Sequence, residues 1–442
     1  MRWLVGVLLA LAVTAPAMAQ DVEVLGPIGG GQEPVLTGGT LVWSREDDGR
    51  VQVLGRPVAG GTVTEVARAT LPASDGRLAG WRVAAAPGRV GVRVFPREGN
   101  RQVLFGGPFG SALTRLRSTP NGAVMATDRD FWAWAGGFVT LERSGKTLQA
   151  VVTDDRGGTR VLALPAGAEP RTLAVSATTA AVAVARERVD VLDITSGAVI
   201  RSVPLGEARD YDVTSLSVAA DGALALTADS GSDVLAWAPV GAQQFQVVMT
   251  GDRFGLVRVA DGRIAFVEPG GRTDAARPVV VEPRADGEPT LLFRGPPAFQ
   301  IESLDFDGTH VAWASQACQF VAKAEPAAST VTVPAGPCAR TEISITSFAT
   351  PEIPRRNPSL PVYVRCLTAP TARCRLDVRA YTFEGKRLGR LRTTVPRGAR
   401  RLLRVPLGRR DADRLRRADD NPTYFIIRTI DPDGKIRRLG PI

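Results

Sequence analysis

At 442 residues the chain is too long for one ordinary core, so at least two domains are expected. A single histidine and four cysteines leave little room for triad catalysis or a zinc site. The net charge of +10 is uneven: residues 342–442 hold 23 basic and 10 acidic side chains, a net of +13, which leaves −3 for residues 1–341. Only Lys146, Lys323, Lys386 and Lys435 are lysines, so arginine supplies the other 51 of the 55 basic residues.

The first element is a leader. Arg2 precedes the apolar run Trp3–Val13, and Ala17-Met-Ala19 has the small-residue pattern of signal-peptide cleavage, so residues 1–19 are expected to be removed and the mature chain to begin at Gln20. The run is shorter than the roughly 20 residues a spanning helix needs. No cysteine lies beside the cleavage point, so a lipid anchor is not expected there. A secreted or extracytoplasmic, surface-associated protein is the resulting expectation.

From residue 39 a strand-like phrase opening on Gly or Thr recurs, beginning at Gly39, Gly88, Gly137, Thr179, Gly222, Gly262 and Gly308, with spacings of 49, 49, 42, 43, 40 and 46 residues. That period fits one four-stranded propeller blade per repeat. The clearest unit runs from Val213 through an Asp221-Gly222 turn, Ala223–Ala228, Val234–Trp237 and Phe245–Met249, a β-meander written in alternating residues. The second strand of most units is a short run of small or branched apolar residues, as expected of a strand buried on both faces. Between residues 95 and 137, Gly106-Gly-Pro-Phe-Gly110 and Phe131-Trp-Ala-Trp134 disturb the rhythm, so six blades with a large insertion stand as the alternative to seven.

The unit at Val213, with Asp221-Gly222 before its second strand and Trp237 ending its third, resembles a WD-repeat blade. Residues 22–338 are more broadly similar to exported bacterial propellers of the TolB-like and quinoprotein-like kinds. That resemblance implies the fold far more than it implies a function.

After Cys338 the rhythm changes. Six alternating segments, Glu342–Thr346, Leu360–Cys366, Cys374–Tyr381, Lys386–Leu391, Arg401–Leu407 and Tyr424–Ile430, precede a last short strand at Lys435–Leu439, with a helix expected over Arg410–Arg417. Seven short strands in a hundred residues predict an immunoglobulin-like β-sandwich. Their order resembles the immunoglobulin-like modules that end many exported actinobacterial proteins. The chain is therefore read as all-β: leader 1–19, propeller 20–341 and sandwich 342–442. In an exported chain the even cysteine count favours disulfides, and Cys318–Cys338 with Cys366–Cys374 is the preferred pairing because each closes a short loop between neighbouring strands.

Catalytic candidates are few. His310 sits in Thr309-His-Val-Ala-Trp313, a predicted strand whose alternation already accounts for it. The chain has no nucleophile elbow, Walker loop or His-Glu-x-x-His motif. The aspartate pairs Asp128/Asp130, Asp154/Asp155, Asp190/Asp193, Asp210/Asp212, Asp229/Asp233 and Asp305/Asp307 fall near predicted turns, where most are expected to cap backbone N–H groups. Two of them on one channel face would make a carboxylate-based polysaccharide hydrolase or lyase, the alternative function. Arg397, Arg400, Arg401, Arg404, Arg409 and Arg410, with Arg414, Arg416 and Arg417 beyond, form clusters that would attract acidic envelope polymers. The preferred function is a monomeric, non-enzymatic exported scaffold. It needs no cofactor or metal, takes a protein or glycan at the propeller face, and has a basic C-terminal module that meets the envelope rather than nucleic acid.

Overall fold

The computed structural model describes residues 20–441 apart from 28–33, 48–49, 71–77, 97–100, 121–129, 145, 252–253, 269–275, 285–287, 296–300, 316–317, 325–330, 333–341, 348–352, 369–372, 383–385, 397–398, 418–422 and 431–435. The repeat folds into seven antiparallel blades. Blade 1 is Val35–Thr37, Thr40–Asp47, Arg50–Pro57 and Thr64–Thr70, and blade 2 is Leu78–Ala86, Arg89–Pro96, Arg101–Pro108 and Thr114–Pro120. Blade 3 comprises Phe131–Trp134, Gly137–Ser144, Thr147–Thr153 and Thr159–Val161; blade 4, Ala174–Val175, Thr179–Val184, Arg188–Asp193 and Val199–Pro204. Blade 5 runs through Asp212–Val218, Leu224–Asp229, Asp233–Ala238 and Gln246–Gly251, and blade 6 through Val257–Ala260, Arg263–Glu268, Arg277–Glu282 and Thr290–Arg294. Every recurring phrase of the sequence becomes, or leads directly into, a blade's second strand.

Blade 7 takes Ile301–Phe306, His310–Ser315 and Cys318–Lys323 from the end of the repeat and its fourth strand, Gln20–Pro27, from the beginning. The ring is thus latched by its first strand, which pairs antiparallel from Val22 opposite Ala322 to Pro27 opposite Cys318. Each blade's first strand touches the first strands of both neighbours, and Val35–Thr37 meets Ile301–Phe306 to complete the circle.

Burial falls from the second strand outward, as a sandwiched blade requires. In blade 4 Thr179–Val184 is buried from its second residue on, whereas the outer Val199–Pro204 is mostly exposed. Apolar side chains form one packed cluster between every neighbouring pair of blades, seven in all. Polar stitches add direction. Arg93 of blade 2 donates to the Asp130 carbonyl at 3.0 Å, Arg201 of blade 4 to the carbonyls of Gly222, Pro239 and Ala242, and Arg263 of blade 6 to that of Gly308 at 3.0 Å. Part of the arginine excess therefore holds blades together.

The seven-bladed reading holds, and the six-bladed alternative does not. Gly106, which disturbs the rhythm, has a packing reason: it faces Gly91 across blade 2, and a Cβ on either would collide with the Phe138 ring of blade 3. Beyond Phe109-Gly110, Ser111–Ala112 runs parallel to the outer edge of blade 1 before the chain returns as the fourth strand of blade 2. Phe131–Trp134 is the inner strand of blade 3, not a loop.

The C-terminal residues form a three-stranded sheet, Glu342–Ser347, Ser359–Thr368 and Arg400–Pro406, and a four-stranded sheet, ordered Arg387–Pro396, Arg373–Thr382, Thr423–Ile430 and Ile436–Pro441. Leu360, Val362, Leu403 and Val405 of the first share one core with Leu376, Val378, Val395 and Ile427 of the second. The helix spans Arg409–Arg417 and buries Ala412 and Leu415, three residues apart on one face, in that core. Cys366 and Cys374, both fully buried, form the expected disulfide and tie the two sheets together. Cys338, and with it the expected bond to Cys318, lies outside the described residues.

Candidate functional site

The turns that follow the inner strands of the ring gather around the axis. There they enclose a cavity of about 400 Å³. Every blade contributes: Leu36 and Gly38 from blade 1, Ala86 and Pro87 from blade 2, Trp132 and Ala133 from blade 3, Val175 and Ala177 from blade 4, Ala219 and Asp221 from blade 5, Ala260 and Asp261 from blade 6, and Asp305 and Asp307 from blade 7. The lining is asymmetric. Blades 1–4 present apolar groups, one indole and the hydroxyl residues Thr37 and Ser176; blades 5–7 present four carboxylates and no basic side chain.

Three of those carboxylates also shape the mouth. Asp305 Oδ2 accepts the Leu36 N–H at 2.8 Å, joining blades 7 and 1, and its Oδ1 lies 3.9 Å from Arg258. Asp307 Oδ1 accepts the backbone N–H groups of Thr309 and His310 at 2.9 and 2.6 Å, and Asp221 Oδ1 that of Ala223 at 2.9 Å. Asp261 and Gly262 both have positive φ, 48° and 70°, the geometry of a two-residue Asp-Gly hairpin turn. His310 Nδ1 faces Asp307 Oδ2 at 3.5 Å. The histidine is thus packed beside a turn carboxylate.

Most of the other aspartate candidates are turn or ion-pair residues set elsewhere in the fold. Asp154 accepts from the N–H groups of Arg156 and Gly158, Asp229 from that of Gly231, and Asp193 from Ser196, whose hydroxyl and N–H hold the Asp193 carboxyl below its usual range. Asp155 pairs with Arg89 at 2.5 Å, Asp212 pairs with Arg186, Asp210 lies 3.9 Å from Arg209, and Asp233 accepts the Phe254 N–H. Asp190 takes Arg188 and Ser202, while Asp130 lies buried between Arg82 at 3.3 Å and Arg93 at 3.1 Å. Asp128 lies outside the described residues. Of the six pairs only Asp305/Asp307 reaches the mouth. Glu302, exposed on the inner strand of blade 7, has its pKa raised by partial desolvation, with Arg82 opposing the shift, and Glu302 is not part of the mouth.

No family profile matches the sequence, and no curated protein matches it. Solved structures similar to it include BamB from Moraxella catarrhalis, at 14% identity over 66% of this chain and 84% of that one, TM-score 0.37. An uncharacterised protein from Listeria monocytogenes EGD-e is similar at 7% identity over 66% and 92%, TM-score 0.43, and the WD40 propeller domain of Doa1 at 15% identity over 68% and 96%, TM-score 0.40.

The C-terminal arginines do not form a single cluster by sequence proximity alone. Arg400, Arg401 and Arg404 lie exposed on one strand, with Arg400 stacked 4.3 Å from the Tyr363 ring. Arg409, Arg410 and Arg414 are exposed on the following helix, whereas Arg416 is tied to Asp413 and to the Pro354 carbonyl. Arg397 and the Arg417 side chain lie outside the described residues. Sequence reading passed over Asp261, although the signal was present: in six of the seven units the residue just before the recurring phrase, or one beside it, lines the mouth, so aligning the repeats locates the site. Among the described residues no three His, Cys, Asp or Glu side chains are placed to hold a metal, and no helix is long and apolar enough to cross a membrane.

Proposed function

We propose that this chain is an exported, non-enzymatic interaction scaffold whose propeller receives a partner protein at the channel mouth. The observation that carries the reading is the cavity itself, to which all seven blades contribute, six through the turn after the inner strand and blade 3 through Trp132 and Ala133 of the strand itself. A rigid ring of packed blades holds those turns in fixed relation, and a concave site with convergent polar groups set among apolar ones is the usual form of a binding pocket. The turn bonds made by Asp221, Asp305 and Asp307 also favour a binding role over a hydrolytic one. The acidic wall selects for a partner loop carrying Lys or Arg against small apolar neighbours. In the same proposal the C-terminal residues are an immunoglobulin-like sandwich that keeps the scaffold at the cell envelope.

The test is retention of envelope proteins by the full chain, compared with an Ala133→Arg/Ala260→Arg variant that fills the mouth. A partner held by the native chain and lost by the variant supports the site; equal retention by both removes it. Hydrolysis of an acidic polysaccharide that disappears in Asp261→Asn or Asp307→Asn would replace the scaffold reading with the carboxylate-enzyme one.

A further inference from the structure

The strands Arg373–Thr382 and Arg387–Pro396 contain seven charged residues, Arg373, Arg375, Asp377, Arg379, Arg387, Arg390 and Arg392, and their burial pattern turns these away from the core. On the opposite face Cys374, Leu376, Val378, Leu388 and Val395 fill the core. The outward face of these two strands thus carries six guanidinium groups and one carboxylate. Arg379 stands directly opposite Arg390, and Arg392 opposite Asp377. Like charges placed opposite each other repel, so the array needs an anion to hold it.

Asp377 is that anion. Its carboxylate is fully buried beneath two guanidinium forks, from Arg390 at 2.6 and 2.9 Å and from Arg379 at 2.9 and 3.2 Å. Asp377 therefore shows which ligand chemistry this lattice accepts: a carboxylate taken between forked arginines. Arg375 and Arg392 flank it, both exposed, and neither they nor Arg387 has an anionic partner among the described residues. Outward positions lie about 7 Å apart along a strand and about 5 Å apart between strands, a spacing suited to successive acid groups on an extended chain. The strongly exposed apolar side chains of the described residues include none from these two strands, so these strands offer no anchor of the kind that insertion into a bilayer requires.

We infer that this arginine face binds a linear acidic polysaccharide through its carboxylates, with Asp377 as the fixed internal strut that spreads the guanidinium groups. The site is distinct from the Arg400–Arg404 strand and from the channel mouth, and it stands or falls independently of the partner proposed there.

The test is binding of the full chain to polygalacturonate, with neutral dextran, duplex DNA and phosphatidylglycerol vesicles as comparison arms, at two salt concentrations. Native protein is expected to bind the polyuronate and not dextran, weakening as salt rises. Arg375→Glu/Arg392→Glu should weaken binding on the order of tenfold or more, while Arg401→Glu/Arg404→Glu on the other sheet changes it by less than about twofold. Unchanged melting temperatures show that both variants fold, and Arg375→Gln/Arg392→Gln serves if the reversal does not. Equal losses in the two double variants, or tighter binding to DNA or vesicles than to polyuronate, would overturn the assignment. A mouth-filling variant that still binds polyuronate separates this result from the fate of the scaffold reading.

Discussion

Asp130→Ala offers the sharpest test of how the ring is held. Arg93 is 2% exposed and sits between blades 2 and 3, donating to Gln102 at 2.6 Å and to the Asp130 carbonyl at 3.0 Å, with the Asp130 carboxylate 3.1 Å away. Burial depresses the Arg93 pKa while Asp130 opposes the shift, so the guanidinium stays charged and depends on that carboxylate. Removing one partner of a buried pair costs about 3–5 kcal/mol, because the remaining charge is left without compensation. The three surviving hydrogen bonds, to Gln102 and to the carbonyls of Asp130 and Leu141, place this case at about 3 kcal/mol, or about 6 °C in the melting temperature of a domain this large. Arg93→Met combined with Asp130→Ala should recover most of the loss, since a well-packed apolar side chain needs no counter-charge. Urea unfolding of the full chain measures both, with the transition midpoint moving and its slope unchanged. A single-variant cost under about 1 kcal/mol, or a double variant equal to the sum of its parts, would refute the argument.

Other consequences can be measured in the same way. Burial alone would raise the Asp377 pKa, but the bonds from Arg390 and Arg379 outweigh it and hold it below the ordinary value. Its stabilising effect is therefore complete above the unfolded pKa of about 4 and is lost as pH falls through the lower folded value, so acid titration should loosen the C-terminal sheets in native protein more steeply than in Asp377→Asn. Deleting residues 20–27 strips blade 7 of its outer strand and bares the edge of Cys318–Lys323; size-exclusion chromatography should show self-association. Replacing both Cys366 and Cys374 by Ala reopens an eight-residue separation, for which chain entropy predicts a loss of about 2.5 kcal/mol, read in thermal unfolding with and without reductant. Gly91→Ala drives a methyl group into the Phe138 ring and should cost about 1–3 kcal/mol, an effect that Phe138→Leu partly relieves.

What the sequence determined by itself is local and periodic. Recurrence every forty to fifty residues fixes the blade, because the β-meander it encodes buries both faces only against copies of itself. Alternation likewise marked all seven C-terminal strands, a helix was expected at Arg410–Arg417 and forms at Arg409–Arg417, and the short Cys366–Cys374 loop marked the disulfide. The tertiary structure decided whatever depends on residues far apart in the chain. Gln20–Pro27 carries no local sign that it will pair with Cys318–Lys323, since closing a ring is a property of the whole circle. Gly106 resembles an interruption until the Phe138 ring from the next blade fills the slot it forms with Gly91. The sequence clusters of arginine pointed to the Arg400–Arg410 region, yet the densest charged face is spread over two strands and becomes visible only when register sets Arg379 beside Arg390 and Arg392 beside Asp377. A side chain's neighbours along a strand alternate between faces, so the chemistry of a sheet surface is written across strands, and only folding brings it together.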